Sequence, residues 1–262
     1  MLKTRLIPIL FLSRGFLVRS ESFSIHQNLG NPIAQVNRYS QWNVDELIYI
    51  DITPSHVRDN NKEYNDHSIP IGYETIITNV SKNCFMPLTF GGRIRTIEDA
   101  RLRFELGADK ITINSQCIKD PSFINQLALT FGSQAIVVSI DAKRISANGY
   151  RVFTDWGKKD TGLSPIQWAR EVSERGAGEI LINSIDNDGK ASGYDLQLIK
   201  DVVQSTNIPI IACGGVGKYQ HFVDAISETG VSAVAAGNIF HFKELAYPLA
   251  KRFLKMKGYD FR

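Results

Sequence analysis

Cysteine is scarce in this 262-residue chain: Cys84, Cys117 and Cys213 lie far apart and form no CxxC pair. That excludes a disulfide framework and predicts reduced thiols in a cytoplasmic protein. The five histidines, His26, His56, His67, His221 and His241, have no metal-ligand spacing, so no metal is expected, and no cofactor either. No apolar run approaches the roughly 20 residues of a membrane span. The run Leu6–Leu12 is short and no small-x-small cleavage site follows it, so it reads as a buried first strand rather than a signal peptide. A formal charge of +3 without a basic arm excludes a dedicated nucleic-acid binder and suits an enzyme handling anionic substrates. Low-complexity tracts and linkers are absent, and one domain over residues 1–262 is expected.

What is present is a repeat. Gly91-Gly92 is followed by Gly107 and then Asn114-Ser115; Gly214-Gly215 is followed by Gly230 and then Gly237-Asn238. Gly91 to Gly107 and Gly214 to Gly230 are both 16 residues apart, and Gly92 to Asn114 and Gly215 to Gly237 both 22. Each copy reads as strand, glycine turn, helix, strand, polar turn. Two copies in one chain of this length predict two half-barrels closing one α/β fold, a (β/α)8 TIM barrel.

Eight short apolar runs supply the strands: Arg5–Phe11, Glu46–Asp51, Met86–Phe90, Lys110–Ile113, Ala135–Asp141, Glu179–Asn183, Ile208–Ala212 and Ala233–Ala236. Helical periodicity appears over Thr96–Leu106, Leu163–Arg175, Leu196–Gln204 (with Asp195 as N-cap) and Lys243–Lys255. Gly15–Pro32 and the polar Pro54–Gly72 read as long rim loops, the second as a lid or mobile excursion.

Glycine pairs after strands let backbone amides approach an oxyanion. Gly91, Gly92, Asn114 and Ser115 would form one phosphate cradle, and Gly214, Gly215, Gly237 and Asn238 a second; tight turns alone are the plainer alternative. Asp51, Asp141 and Asp186 stand at strand ends, where acid–base chemistry is built, and Asp141 is the foremost catalytic candidate. Asp51 could instead orient loops. The loop holding Asp186 and Asp188 suits turn formation or substrate positioning better than a cation. Arg5, Glu46, Lys110 and Glu179 stand at strand starts, on the barrel floor. They are either solvated charges or a compensated ring. Arg5 shares its parity with Phe11, and Lys110 with Asn114, so each pair would face one side.

These residues resemble the HisF family, the cyclase subunits of imidazole glycerol phosphate synthase. The resemblance covers nearly the whole chain and is strongest over Ser139–Arg262, through Ile140-Asp141-Ala142-Lys143-Arg144, Arg175-Gly176-Ala177-Gly178-Glu179 and Ser184-Ile185-Asp186-Asn187-Asp188-Gly189. It implies a HisH-like glutaminase docked on the floor, with Asp109 matching a docking carboxylate. It also implies an ammonia gate at Arg5, Glu46, Lys110 and Glu179, and a phosphorylated or nucleotide-sugar small molecule at the rim.

Three positions depart from that family. The catalytic aspartate that ends its first strand aligns with Phe11, which cannot transfer a proton. Its following lysine aligns with Arg19, and the third glycine of its first cradle with Arg93. The pattern is similar to HisF-like paralogues of surface-polysaccharide (lipopolysaccharide, O-antigen) biosynthesis. There, ammonia is thought to go to an ATP-dependent amidotransferase that converts an acetamido to an acetamidino sugar. That role is the expectation, with the histidine-pathway cyclase and a non-catalytic activator of a glutaminase as alternatives.

Overall fold

The computed structural model describes residues 3–53, 73–147, 149–241 and 243–261, and the expected lid at Pro54–Gly72 lies outside them. The described residues form twelve strands: β1 (Arg5–Ser13), β2 (Phe16–Glu21), β3 (Ile25–Gly30), β4 (Leu47–Asp51), β5 (Leu88–Gly91), β6 (Lys110–Ile113), β7 (Ile136–Ser146), β8 (Gly149–Thr154), β9 (Lys159–Asp160), β10 (Glu179–Ser184), β11 (Ile210–Cys213) and β12 (Ala233–Ala236). Their helices are α1 (Pro32–Gln41), α2 (Tyr73–Asn83), α3 (Ile97–Glu105), α4 (Ser115–Lys119), α5 (Ser122–Phe131), α6 (Pro165–Glu174), α7 (Leu196–Ser205), α8 (Gln220–Thr229) and α9 (Ala246–Met256).

Strands β1, β4, β5, β6, β7, β10, β11 and β12 pair in parallel, each with the next, and β12 returns to β1. This is the closed (β/α)8 barrel, and closure leaves it no free edge. Alternation along β1 shows how the sequence builds it. Ile7 and Ile9 point inward, join Ile48, Val137, Leu181, Ile211, Ala233 and Ala235, and carry Phe11 above them. Leu6, Leu10 and Leu12 point outward into the larger core under the helices. A two-residue period with both faces buried is what the continuous apolar runs encode.

The helices start where their caps stand. Thr96 and Asp99 make a reciprocal capping box on α3, Asp195 accepts from Leu198 N at 3.2 Å on α7, and Pro165 opens α6. The ring is latched at the floor by α9. Lys251 Nζ lies 2.5 Å from Asp45 Oδ1, Leu6 N donates to Asp45 Oδ2 at 2.8 Å, and the Tyr247 hydroxyl donates to Leu6 O at 2.8 Å.

One segment differs from expectation. Residues 15–32 hold the β2–β3 hairpin rather than a loop, with β2 antiparallel to β1 (Phe11 opposite Val18). Strand β3, Ile25-His26-Gln27-Asn28-Leu29-Gly30, is mostly exposed and carries no alternation to announce it. β7 likewise runs to Ser146, beyond the barrel, and folds back as β8.

Candidate active site

At the floor, four side chains from alternating charges close a ring. Arg5 Nη1 lies 2.6 Å from Glu46 Oε2, Arg5 Nη2 3.2 Å from Glu179 Oε2, Lys110 Nζ 2.9 Å from Glu179 Oε1 and 3.2 Å from Glu46 Oε1. Thr89 Oγ1 also donates to Glu46 at 3.2 Å. The Glu46 side chain is 1% exposed and the other three between 12% and 16%. Burial pulls the Arg5 guanidinium down, but the carboxylates of Glu46 and Glu179 outweigh it and hold it above its ordinary value. The two cations and two anions therefore compensate one another, and the ring lies beneath the apolar lumen of Ile7, Ile9, Val137, Leu181 and Ala235.

At the opposite end, a cavity of about 260 Å³ opens at the C-terminal rim. Ile9, Phe11 and Ile50 form its apolar base, Thr112, Asn114, Ser139, Asp141 and Asn183 a polar wall, and Arg93, Arg95 and Lys119 a basic side. Phe23 and His26 of the hairpin region and Asp155 and Trp156 after β8 cover it. The hairpin is clasped from below: Ser20 Oγ donates to Asp188 Oδ2 at 2.9 Å and Ser22 N to Asp188 O at 3.0 Å. Trp156 Nε1 donates to Ile52 O at 3.0 Å, which pins the other cover to the residue that follows β4.

Asp141 accepts from Asn114 Nδ2 at 2.7 Å and, more weakly, from Asn183 Nδ2 at 3.4 Å. Burial in the cavity pushes its carboxyl up to about 7, and the two amide donors restrain the rise. A carboxyl titrating near neutrality can both give and take a proton. Asp51 is built differently: it forms an ion pair with Arg93 and accepts from Thr53 N at 2.8 Å. Arg93 holds φ +59°, a conformation suited to glycine, straight after Gly92. At Gly92 itself φ is +90°, and a Cβ would stand 2.2 Å from Asp51 O, so the turn accepts no side chain there.

The sequence-predicted residues thus divide. Asp51, Gly92, Asn114, Ser115 and Asp141 line the cavity, with Gly91 buried behind Gly92. Gly214, Gly215, Gly237 and Asn238 end β11 and β12 outside its lining. There the Gly215 carbonyl accepts from Gly193 N at 2.8 Å, and Asn238 Nδ2 donates to Ser20 O at 3.0 Å. Asp186 also stands apart, accepting from Arg144 N at 2.7 Å. Asp109 is exposed on the floor and takes the Leu88 N–H at 2.8 Å. Sequence reading missed Thr112, Asn183, Arg95, Lys119, Phe23 and Trp156. Inward parity with Lys110 and Glu179 marks the first two; Lys119 ends the one-turn helix α4, and the others come from rim loops with no periodic signal.

Among the described residues no group of three or more His, Cys, Asp and Glu could hold a metal ion. None of their helices is long and apolar enough to cross a membrane.

A family model described as histidine biosynthesis protein matches residues 5–246. The imidazole glycerol phosphate synthase subunit HisF of Alkaliphilus metalliredigens (strain QYMF) is 40% identical over 254 residues, covering 97% of this chain and 96% of that protein. The chain belongs to the histidine biosynthesis protein family, as a HisF-family barrel.

Proposed function

We propose that this chain is the ammonia-accepting barrel subunit of a glutamine amidotransferase, in the HisF role of an imidazole glycerol phosphate synthase. The observation that carries the proposal is the compensated ring of Arg5, Glu46, Lys110 and Glu179 beneath an apolar lumen that opens beside Asp141. Neutral ammonia can cross such a lumen, whereas ammonium would lose its hydration there. A HisH-like glutaminase docks on the floor, with Asp109 among its contacts, and the ring gates the entrance. The cytoplasm is the compartment, and one domain spans residues 1–262.

At the rim, Asp141 is the acid–base group. Gly91, Gly92, Asn114 and Ser115 receive an anionic substrate group. Gly214, Gly215, Gly237 and Asn238, with Asp186 nearby, make the second, more closely packed cradle. The near full-length similarity to a HisF subunit supports the histidine-pathway cyclase reaction as the chemistry there.

A second reading is favoured by one specific observation. Phe11, not a carboxylate, faces the cavity from the end of the lumen, and Arg93 fills the first glycine turn. On this reading the ammonia leaves the cyclase reaction aside and goes to an ATP-dependent amidotransferase that makes an acetamidino sugar for surface polysaccharide. Ammonia-driven turnover of the histidine-pathway substrate separates the two. The cyclase reading expects a rate near that of an ordinary HisF protein. The second expects a loss of about 10² to 10⁴, the usual worth of one acid–base group, with partial recovery in Phe11→Asp.

A further inference from the structure

Strand β1 hands its inward face on to the roof hairpin. Phe11 stands opposite Val18 on β2, Ser20 lies two residues further on, and Ser20 stands opposite His26 on β3. Residues directly opposite, or two apart on one strand, share a face. Phe11, Ser20 and His26 accordingly all line the cavity. Asp188, 7% exposed, accepts from Ser20 Oγ at 2.9 Å and from Phe23 N at 3.4 Å. The hairpin is thereby fixed with His26 turned to the cavity, and the buried carboxylate acts on the imidazole and favours its protonated form.

The ring of strands sets His26 across from Asp141. Strands β4, β5 and β6 separate β1 from β7 on one side of the barrel, and β10, β11 and β12 on the other. A ligand in the cavity therefore meets the β1 hairpin on one flank and the end of β7 on the opposite one. The other charged groups around it have different places. Asp51 is paired with Arg93, and Arg95 and Lys119 belong to the basic side. Asp155 follows β8, on the Asp141 flank, and Glu21 pairs with Arg19 on β2 at 3.2 Å. Among the described lining residues, His26 is the titratable group that the β1 flank supplies.

We propose that His26 is a second catalytic residue of the rim site, a general base working across the cavity from Asp141. The proposal rests on the cyclase reading and deepens it, because it names the proton-transferring group on the flank where Phe11 has none. Burial holds the imidazole below its ordinary 6.5 against the pull of Asp188, whereas burial lifts the Asp141 carboxyl to about 7. Between those positions the imidazole is neutral and the carboxyl keeps its proton, which fits a base and an acid in one site. His26 takes one proton from the substrate on its flank and Asp141 gives one on the other, so the substrate's proton count is unchanged. The exposed imidazole then releases its proton to water, and Asp141 regains one from water.

Ammonia-driven turnover of the histidine-pathway substrate by the full chain, followed from about pH 5 to about pH 9, tests the assignment. The wild type is expected to lose rate on the acid side, as His26 takes up a proton, and on the basic side, as Asp141 loses one. His26→Ala and His26→Gln change an exposed roof residue, and melting curves recorded alongside confirm that each variant folds. Both are expected to lower kcat by about 10² to 10⁴ and to abolish the acid limb. Added imidazole is expected to restore part of the His26→Ala rate. Asp188→Asn, which keeps an oxygen for Ser20, is expected to move the acid limb to lower pH. Variants at His26 that keep the wild-type rate overturn the inference, and so does a lowered rate that retains the acid limb, the mark of a merely structural roof residue. If the wild type turns the substrate over and the His26 variants match it, this inference alone is lost. If the wild type shows no turnover, the cyclase reading falls and the inference falls with it.

Discussion

Asn114, at the end of β6, donates its side-chain amide to Asp141 on β7 over 2.7 Å. The bond ties the polar turn of the first half-barrel to the foremost acid–base candidate of the second, and it restrains the rise that burial imposes on that group's proton affinity.

The Asp141 carboxyl is pushed by burial from its ordinary 3.8 to about 7. Between those values the native protein holds a proton that the unfolded chain has released, so this group's contribution to stability is full below about pH 4 and is lost as pH rises to about 7. Asp141→Asn is expected to remove that slope. Urea melts should show the variant gaining on the wild type by on the order of a few kcal/mol at pH 8, with little difference near pH 4. Asn114→Leu, which deletes a restraining donor, is expected to move the Asp141 carboxyl further up, read by carbon NMR of the labelled side chain.

The floor ring gives a stability prediction. Glu46 is its most buried member and receives bonds from Arg5, Lys110 and Thr89. Glu46→Ala leaves two cations facing one carboxylate and is expected to cost about 3–5 kcal/mol. Adding Lys110→Ala restores the balance of one cation and one anion, so the double variant is expected to fall short of the summed losses by about 0.5–3 kcal/mol. Denaturant unfolding of the four proteins in the cycle measures it. Lys110→Ala alone is expected to lower glutamine-driven transfer more than transfer from added ammonia.

Arg93 and Asp51 form a second coupled pair. Arg93→Gly relieves a left-handed residue, a gain of roughly 1–2 kcal/mol, but strands a carboxylate that is 2% exposed. The single variant is expected to be net destabilised, and Asp51→Asn added to it is expected to recover part of the loss. A thermal melt of the single and double variants decides.

Much of this was legible in the sequence, because barrel strands advertise themselves. Each of the eight apolar runs became a barrel strand, and the parity that joined Arg5 to Phe11 reappears as one inward column, Arg5, Ile7, Ile9 and Phe11. The strand starts put the four charges on the floor and left solvated charges or a compensated ring open; the structure closes the ring. The roof did not. Strand β3 is mostly exposed, so no burial pattern was written into it. Trp156 reaches the site only because β7 and β8 overrun the barrel and its indole bonds Ile52 O. Asp188 looked like a loop carboxylate, and its use as the clasp for Ser20 depends on a contact 168 residues away in sequence.

The most direct test of the ammonia-accepting role is co-purification of the full chain with a HisH-like glutaminase from the same organism, followed by glutaminase assay. The expected result is a one-to-one complex in which the barrel raises the glutaminase rate, and weaker docking by Asp109→Lys, which reverses an exposed floor charge. A wild-type chain that neither binds that protein nor raises its rate would contradict the account.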